Sequence, residues 1–500
     1  MAIKAGSMIT AGNGQALIER LQSGGPGTLN IPKEKIYELG NYESVATVYD
    51  TPELTFTLES FDVSTDTEQM LVDATTADVL TNGIDLAAAK SLNIAQNFKP
   101  GKKLANPYVA ANGVAIPALM IESASYRFGL RENATETFTL RGDSIYYCPG
   151  AVYVDQYTGT NTPGQTVVTT HPGYPYTDSN GTRRILAVTV GTKRLTEGPD
   201  FTVTYGTITA DAAIATVTVT EAVPVTDTIR VMYHSPDTIT YPQEIHTPAT
   251  LKPAAVKGKD IDIYVGGYDP EDPAASAANK LTGVQDVTLE WRVTQEEERE
   301  FGNPNAVSRD FDVPTVNGTI GILPRDVPDL YSKLRKITGV SSTTAAIGPD
   351  LAALLPLDII IKDAESGGTT LKRFHVPDVR FSLPGYAPRV EQNVTLSLEW
   401  ESDTGALTIH RDLGDPVVTG LDPATDDEAG GAEVVITGAN FVGVTAVAFG
   451  AVPATSYTVD NHRQITAIAP AGTGTVDVTV TTAAGTSVAS DDSEFVYTDD

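Results

Sequence analysis

Apolar and polar residues alternate with a period of two along much of the chain. Val217-Thr218-Val219-Thr220, Val476-Asp477-Val478-Thr479-Val480 and Leu54-Thr55-Phe56-Thr57-Leu58 are clear cases. Alternation of this kind predicts strands with one buried face. Helical patterning is confined to short runs: Ser64-Thr-Asp-Thr-Glu-Gln-Met-Leu71 and Arg325-Asp-Val-Pro-Asp-Leu-Tyr-Ser-Lys-Leu334. In both, a Ser or Asp before the apolar run is placed to act as helix N-cap, and Pro328 sits where a first-turn proline is tolerated. The expected fold class is mainly β.

The pattern also repeats. Glu38-Leu-Gly-Asn41 is matched by Glu300-Phe-Gly-Asn303, each after a candidate strand, Thr28–Ile31 and Thr288–Trp291. A further strand and a polar helix start follow each motif: Leu54–Phe61 then Ser64, and Gly318–Leu323 then Arg325. Each half closes on a candidate β-hairpin, over 119–141 and 374–400. We expect two copies of one sheet-plus-helix domain, spanning roughly 28–148 and 286–411. Between them, Gly159, Pro163, Pro172, Pro175 and Gly181 punctuate four candidate strands: Ile185–Val190, Phe201–Tyr205, Ala215–Val219 and Thr228–Tyr233. Short strands at that spacing predict a small inserted β-sandwich. The expected division is 1–149, a first domain with an N-terminal arm; 150–250, the insert; 251–415, the second copy; and 416–500, a separate module.

A chain of 500 residues is too long for one core and implies three or four domains. Its net charge of −30 argues against a protein that grips nucleic acid, which needs clustered Lys and Arg. Adaptation to salt is a second explanation of the acidity, and the sequence leaves both open. The single cysteine, Cys148, excludes an intrachain disulfide and is read as a small buried hydrophobe at a strand end. The first residues lack the apolar core of a signal peptide, and no apolar stretch is long enough to span a bilayer.

The last segment carries a specific resemblance. Pro416–Pro423, Gly430-Gly-Ala-Glu-Val-Val-Ile-Thr-Gly-Ala-Asn-Phe441, Val447–Gly450, Ile465–Pro470, Val476–Val480 and Phe495–Tyr497 are similar to the IPT/TIG family of immunoglobulin-like folds. Gly430-Gly431 is expected to open a turn, and Gly438 with Asn440 to permit positive φ before Phe441 enters the core. More loosely, the duplicated halves resemble the major tail tube proteins of long-tailed viruses, through the Glu-Leu-Gly-Asn loop, the sheet with one packed helix and the long hairpins. That resemblance implies rings of six domains stacked into a tube that conducts DNA. Two copies per chain would complete such a ring with three chains.

Candidate chemistry is sparse. His171, His234, His246, His375, His410 and His462 show no metal-ligand spacing. Arg141-Gly142-Asp143-Ser144 contains both an integrin-ligand tripeptide and a hydrolase-like Gly-Asp-Ser, but it falls at a strand end where such residues are ordinary turn chemistry. Asp269-Pro-Glu-Asp-Pro273, and Asp422 with Asp426-Asp427-Glu428, lack the spacing of a calcium loop and are read as solvated acidic loops. Glu296-Glu297-Glu298 is read as a solvated edge, with a lumen-facing role as the alternative. Gly12-Asn13-Gly14 is too short for a phosphate loop. No catalytic, cofactor-binding or metal residue is expected, and the chain is not expected to be an enzyme; an accessory-module carbohydrate enzyme fails for want of a paired-carboxylate site.

The expected function is therefore a structural virion protein, made in the host cytoplasm and located in the virion tail. Its expected partners are itself, as homotrimeric rings, and other virion tail proteins. DNA would pass through without specific binding, no small molecule would be bound and no membrane entered. Contacts between subunits are expected from loops 41–53 and 268–283 and the arm 1–27. The alternative is a cell-surface or secreted multidomain β-protein for adhesion or binding. The acidic module from 416 onward, with 12 acidic residues against Arg463 alone, is expected to be an exposed decoration.

Overall fold

A computed structural model describes the chain except at residues 1–7, 14–17, 19–20, 27–29, 31–32, 38–43, 50–51, 62–64, 75–82, 99–107, 111, 131, 175, 178–182, 208–211, 242–257, 269–275, 300–305, 324–353, 363–369, 383–395, 412–415, 440, 442–443, 462–463, 483–484 and 499–500. The architecture is mainly β, as the two-residue period requires, and is divided among several sheets.

Among the described residues, two ladders of six strands each carry the duplicated part. In the first half they are β1 (Met8–Ala11), β2 (Leu21–Pro26), β3 (Leu54–Ser60), β4 (Leu92–Phe98), β5 (Asn112–Gly129) and β6 (Thr135–Gly142). In the second they are β7 (Ile261–Val265), β8 (Val284–Arg292), β9 (Thr315–Ile322), β10 (Leu355–Lys362), β11 (Thr370–Ser382) and β12 (Leu396–Ser402). Pairing in the first half runs β2-β3-β6-β5-β4-β1; in the second it runs β8-β9-β12-β11-β10-β7, so each strand has a counterpart six places on. Every one of these pairings is antiparallel.

The strand order sharpens the repeat and corrects its register in one place. The first-half counterpart of β8 in strand order is Leu21–Pro26, inside the segment expected to be an N-terminal arm; of the expected strand Thr28–Ile31 only Asn30 is among the described residues, and it bridges Glu53. The Glu-Leu-Gly-Asn and Glu-Phe-Gly-Asn motifs themselves lie outside the described residues. Both fall between the strands of equivalent hairpins, Lys33–Tyr37 with Ser44–Tyr49 and Gln295–Glu298 with Ser308–Phe311. Helix α1 (Asp66–Val72) follows β3, but its N-cap is Thr65, with no side-chain cap bond, and not Ser64. The helix expected after Arg325 lies outside the described residues.

The two halves do not stand apart. β5 is long enough to serve two sheets: its first part pairs with β4, and its last part lies between β6 and β8. Where it changes allegiance, Ala118 takes φ 53, a conformation costly for a residue with a Cβ. Asn93 Oδ1 accepts the Ala118 N–H at 3.2 Å, and Arg309 Nη1 donates to its carbonyl at 3.0 Å, which holds the kink. Alternating β5 residues Ala124, Tyr126 and Phe128 face inward with Val287, Leu289 and Trp291 of β8. One hydrophobic core consequently runs from Ile18 to Ile409 through both halves.

The insert is a two-sheet sandwich, as its strand spacing predicts. One sheet holds 151–158, 228–235, 187–190 and 193–194, the other 165–168, 215–219 and 201–205. It has its own core, including Val188, Phe201, Val217 and Val231. A second cluster of Ala95, Ala115, Cys148, Val152, Leu186 and Met232 fastens it to the first half. Reciprocal bonds between Asn97 and the backbone of Val152, at 2.8 and 2.9 Å, add direction to that apolar contact.

The C-terminal segment forms sheets of four and five strands around Val434, Ile436, Phe441, Phe449, Ile465 and Phe495. Gly430 and Gly431 are left-handed, at φ 69 and 112, as the turn demands. Gly438 is required for a different reason from the one its sequence implies. Its φ is not in the left-handed region; a Cβ there would lie 2.0 Å from the Val417 carbonyl and 2.3 Å from Cζ of Phe441. Asn440 lies outside the described residues.

Candidate functional site

Three places in this fold concentrate polar chemistry inside the protein or leave backbone hydrogen-bonding groups unpaired. The first is a charge knot where both halves and the insert meet. Asp143, at the end of β6, is buried. Its carboxylate accepts Arg194 Nη1 from the insert at 3.0 Å and Arg309 Nη2 from the second half at 3.2 Å. The Ala306 N–H adds a bond of 3.0 Å. Ser144 Oγ accepts from Arg194 at 2.6 Å and donates to Asp143 at 3.1 Å. Asp143 and Ser144 thus act as an internal tie between both halves and the insert.

Glu297 extends the knot. It accepts from Arg309 Nε at 3.1 Å and pairs with Arg299, so the middle of the acidic run is engaged while Glu296 and Glu298 are exposed. Partial burial pushes this carboxyl up, but Arg309 and Arg299 outweigh it and hold it below the ordinary carboxylate range.

The second place is a buried ion triad between the halves. Lys372 of β11 donates to Glu68 of α1 and, at 2.7 Å, to Glu136 of β6. All three side chains are shut off from solvent, at 0, 0 and 1% exposure. Tyr126 Oη donates to Glu68 Oε1 at 3.0 Å, and the ammonium lies 5.2 and 5.1 Å from the ring centres of Tyr126 and Phe374. Burial pulls the Lys372 ammonium down, yet Glu136 and Glu68 more than offset it and hold the group protonated. Burial, then Glu68 and Glu136, raise the Tyr126 hydroxyl. This triad escaped the sequence reading, because residues 68, 136 and 372 share no motif. A lysine at an inward position of an alternating strand was the available signal.

The third place is a pair of sheet edges. β2 pairs only with β3, and Arg380–Ser382 of β11 pairs only with β12, among the described residues.

Other candidates fall to ordinary roles. Cys148 is buried in the strand Tyr146–Cys148, and burial pushes its thiol up to about 12. His171 stacks on Tyr153 at 4.3 Å, His375 Nδ1 bonds Asp358 at 2.8 Å, and burial lowers His234. His410 lies 6.5 Å from His375, ring to ring. His246, His462 and Asp269–Pro273 lie outside the described residues. Asp426 and Asp427 spend their carboxylates on turn amides, accepting Ala432 N–H and Ala429 N–H at 2.8 Å each. Asn13 donates to the Ser91 carbonyl and accepts the Asn93 N–H, and Gly14 lies outside the described residues. Among the described residues, no group of three or more His, Cys, Asp or Glu is placed to hold a metal ion.

The structure defines a multi-sheet β-protein with an immunoglobulin-like C-terminal module. Residues 416–497 match the IPT/TIG domain family. No curated protein matches the chain. Among solved structures, a similarity covering 70% of this chain is found to the full extracellular region of plexin A4, domains 1 to 8, at 9% identity and a TM-score of 0.16. The chain spans 49% of that structure.

Proposed function

We propose that the chain is a structural virion protein that builds stacked rings of a viral tail tube, each ring made of three copies. The observation that carries this reading is the junction of β5 with β8. There the fourth strand of one half's order adds, antiparallel, to the first strand of the other, from Gly129 opposite Asp286 to Ser123 opposite Arg292. The counterparts of these two strands are β11 and β2, whose matching edges have no partner strand among the described residues. One chain thus uses a head-to-tail contact once internally and carries its two complementary faces at its ends. Repeating that contact between chains gives a heterologous interface, which closes into a ring if the rotation fits. Pairing would also cover edges that otherwise invite aggregation.

The sheet's outward face fits a surface past which DNA slides. Ser123, Ser125, Thr137, Thr139, Thr288 and Thr319 are half-exposed there, and the exposed Arg127 and Arg292, opposite Thr288 and Ser123, alternate with the exposed Glu290 rather than forming a run of like charge. The net charge of −30 opposes phosphate binding.

Electron microscopy of the purified full chain tests the reading. The expected result is rings or tubes whose three-fold average resolves alternating halves; six chains per ring, or dispersed monomers at high concentration, overturns it. Gly25 of β2 has open space where a Cβ would go. Gly25→Lys places a charge on the edge and is expected to weaken association at least about tenfold while the monomer still folds. Unchanged assembly of that variant counts against the edge contact.

A further inference from the structure

The Lys372 triad holds more than an ion pair needs. One amine faces two carboxylates, Glu68 and Glu136, in a place shut off from solvent. Surrendering that much solvation is costly, and such triads are weak stabilisers compared with apolar packing. Glu68 is also held on one side only. Its Oε1 accepts both Lys372 and Tyr126, whereas its Oε2 is buried with no hydrogen-bond partner. These are the parts of an amide-forming centre: an amine, a carboxyl beside it, a second carboxylate touching the amine and a dry aromatic wall.

We propose that Lys372 and Glu68 condense into an intramolecular isopeptide bond, with Glu136 as the catalytic acid–base. Glu136, at 2.7 Å from Nζ, takes a proton from the ammonium and passes it to an oxygen of Glu68. The freed amine attacks the Glu68 carboxyl carbon, and Tyr126 Oη, already bonded to Oε1, stabilises the charge that develops on that oxygen. Glu136 then moves a second proton from the nitrogen to the departing oxygen. The C–O bond breaks and one water leaves; the third ammonium proton stays on the amide nitrogen. The three protons and the one oxygen are accounted for, and no oxidant or external co-reactant enters. Expelling the water from an apolar core opposes the reverse reaction.

The product would join residues 304 apart, tying α1 of the first half to β11 of the second. Nothing in this chemistry depends on the ring proposal; a tube subunit or an adhesion protein would gain equally from halves that cannot be pulled apart.

Intact-mass spectrometry of the denatured full chain decides the matter. The expected mass is below that of the sequence by one water, and proteolysis should release a branched peptide joining Lys372 to Glu68. Glu136→Gln is expected to keep the sequence mass. Glu68→Gln, if it reacts, loses ammonia in place of water, which identifies the electrophile. Folded wild-type protein with the full sequence mass and an unmodified Lys372 overturns the proposal, whether or not the variants fold.

Discussion

The joined halves and the C-terminal module solve one problem in opposite ways. The module closes its own core: every member of its cluster lies between Val418 and Tyr497, and Phe441, Phe449 and Phe495 are buried within it. Neither half does this. Tyr126 and Phe128 of the first half pack in the same cluster as Trp291 and Phe374 of the second, and Lys372 of the second donates to Glu68 and Glu136 of the first. A domain with a private core can be attached or removed as a unit. Two copies that share a core have become one folding body, and their ancestral boundary survives only in strand order.

Matched core truncations should break this comparison most sharply. Trp291→Ala and Phe441→Ala each empty a fully buried aromatic site and should each cost about 3–5 kcal/mol. Their reach should differ. In calorimetry, Trp291→Ala is expected to lower a transition carrying both halves together, with the module's transition unmoved. Phe441→Ala should lower the module's transition alone. A Trp291→Ala chain in which the first half melts as before would show that the shared core does not couple the halves.

This difference also governed what the sequence could reveal. The module was legible because a private core leaves its whole pattern in one contiguous stretch, with glycines at the turns and an aromatic plug. The duplicated strands were legible through alternation, and their repeat through motif order. The junction of β5 and β8 was not, because strand pairing between distant segments leaves no local mark. Asp143 shows the same limit. Its neighbours Arg141, Gly142 and Ser144 spell a turn, while its partners Arg194 and Arg309 lie in other elements altogether. The early strand at Leu21–Pro26 was missed because Gly24, Gly25 and Pro26 contradict strand propensity; an edge tolerates them, having one side free of the ladder.

A smaller effect tests the charge knot that holds the insert and both halves together. Arg309 and Arg299 keep the Glu297 carboxyl below its ordinary range against the opposing effect of burial. Its folded pKa therefore lies under its unfolded one. The stability it contributes is present above the unfolded pKa and is lost as pH falls through the folded one. Comparing melting temperatures of wild type and Glu297→Gln from pH 7 down to about 3 should show a gap that closes on acidification. We expect its full size to be on the order of 1 kcal/mol or less. A gap that widens at low pH would reverse the sign assigned to this pair.

The smallest expected effect is a null shift, and it bears on the module alone. Residues 416–500 carry 12 acidic residues and one basic residue, and the cluster that holds the module together includes nothing before Val418. The core of the joined halves, in turn, ends at Ile409. With no residue common to the two cores, removing 416–500 should leave the main thermal transition within experimental error of the full chain. Assembly should persist as well, because the edges at β2 and β11 lie in the joined halves. The truncated chain should run as a less acidic particle with the same subunit number in native electrophoresis and mass measurement. If truncation lowers the main transition by several degrees, the module braces the halves through its surface. If truncation abolishes rings, the module takes part in the contact between chains, and the decoration reading fails even though the fold comparison stands.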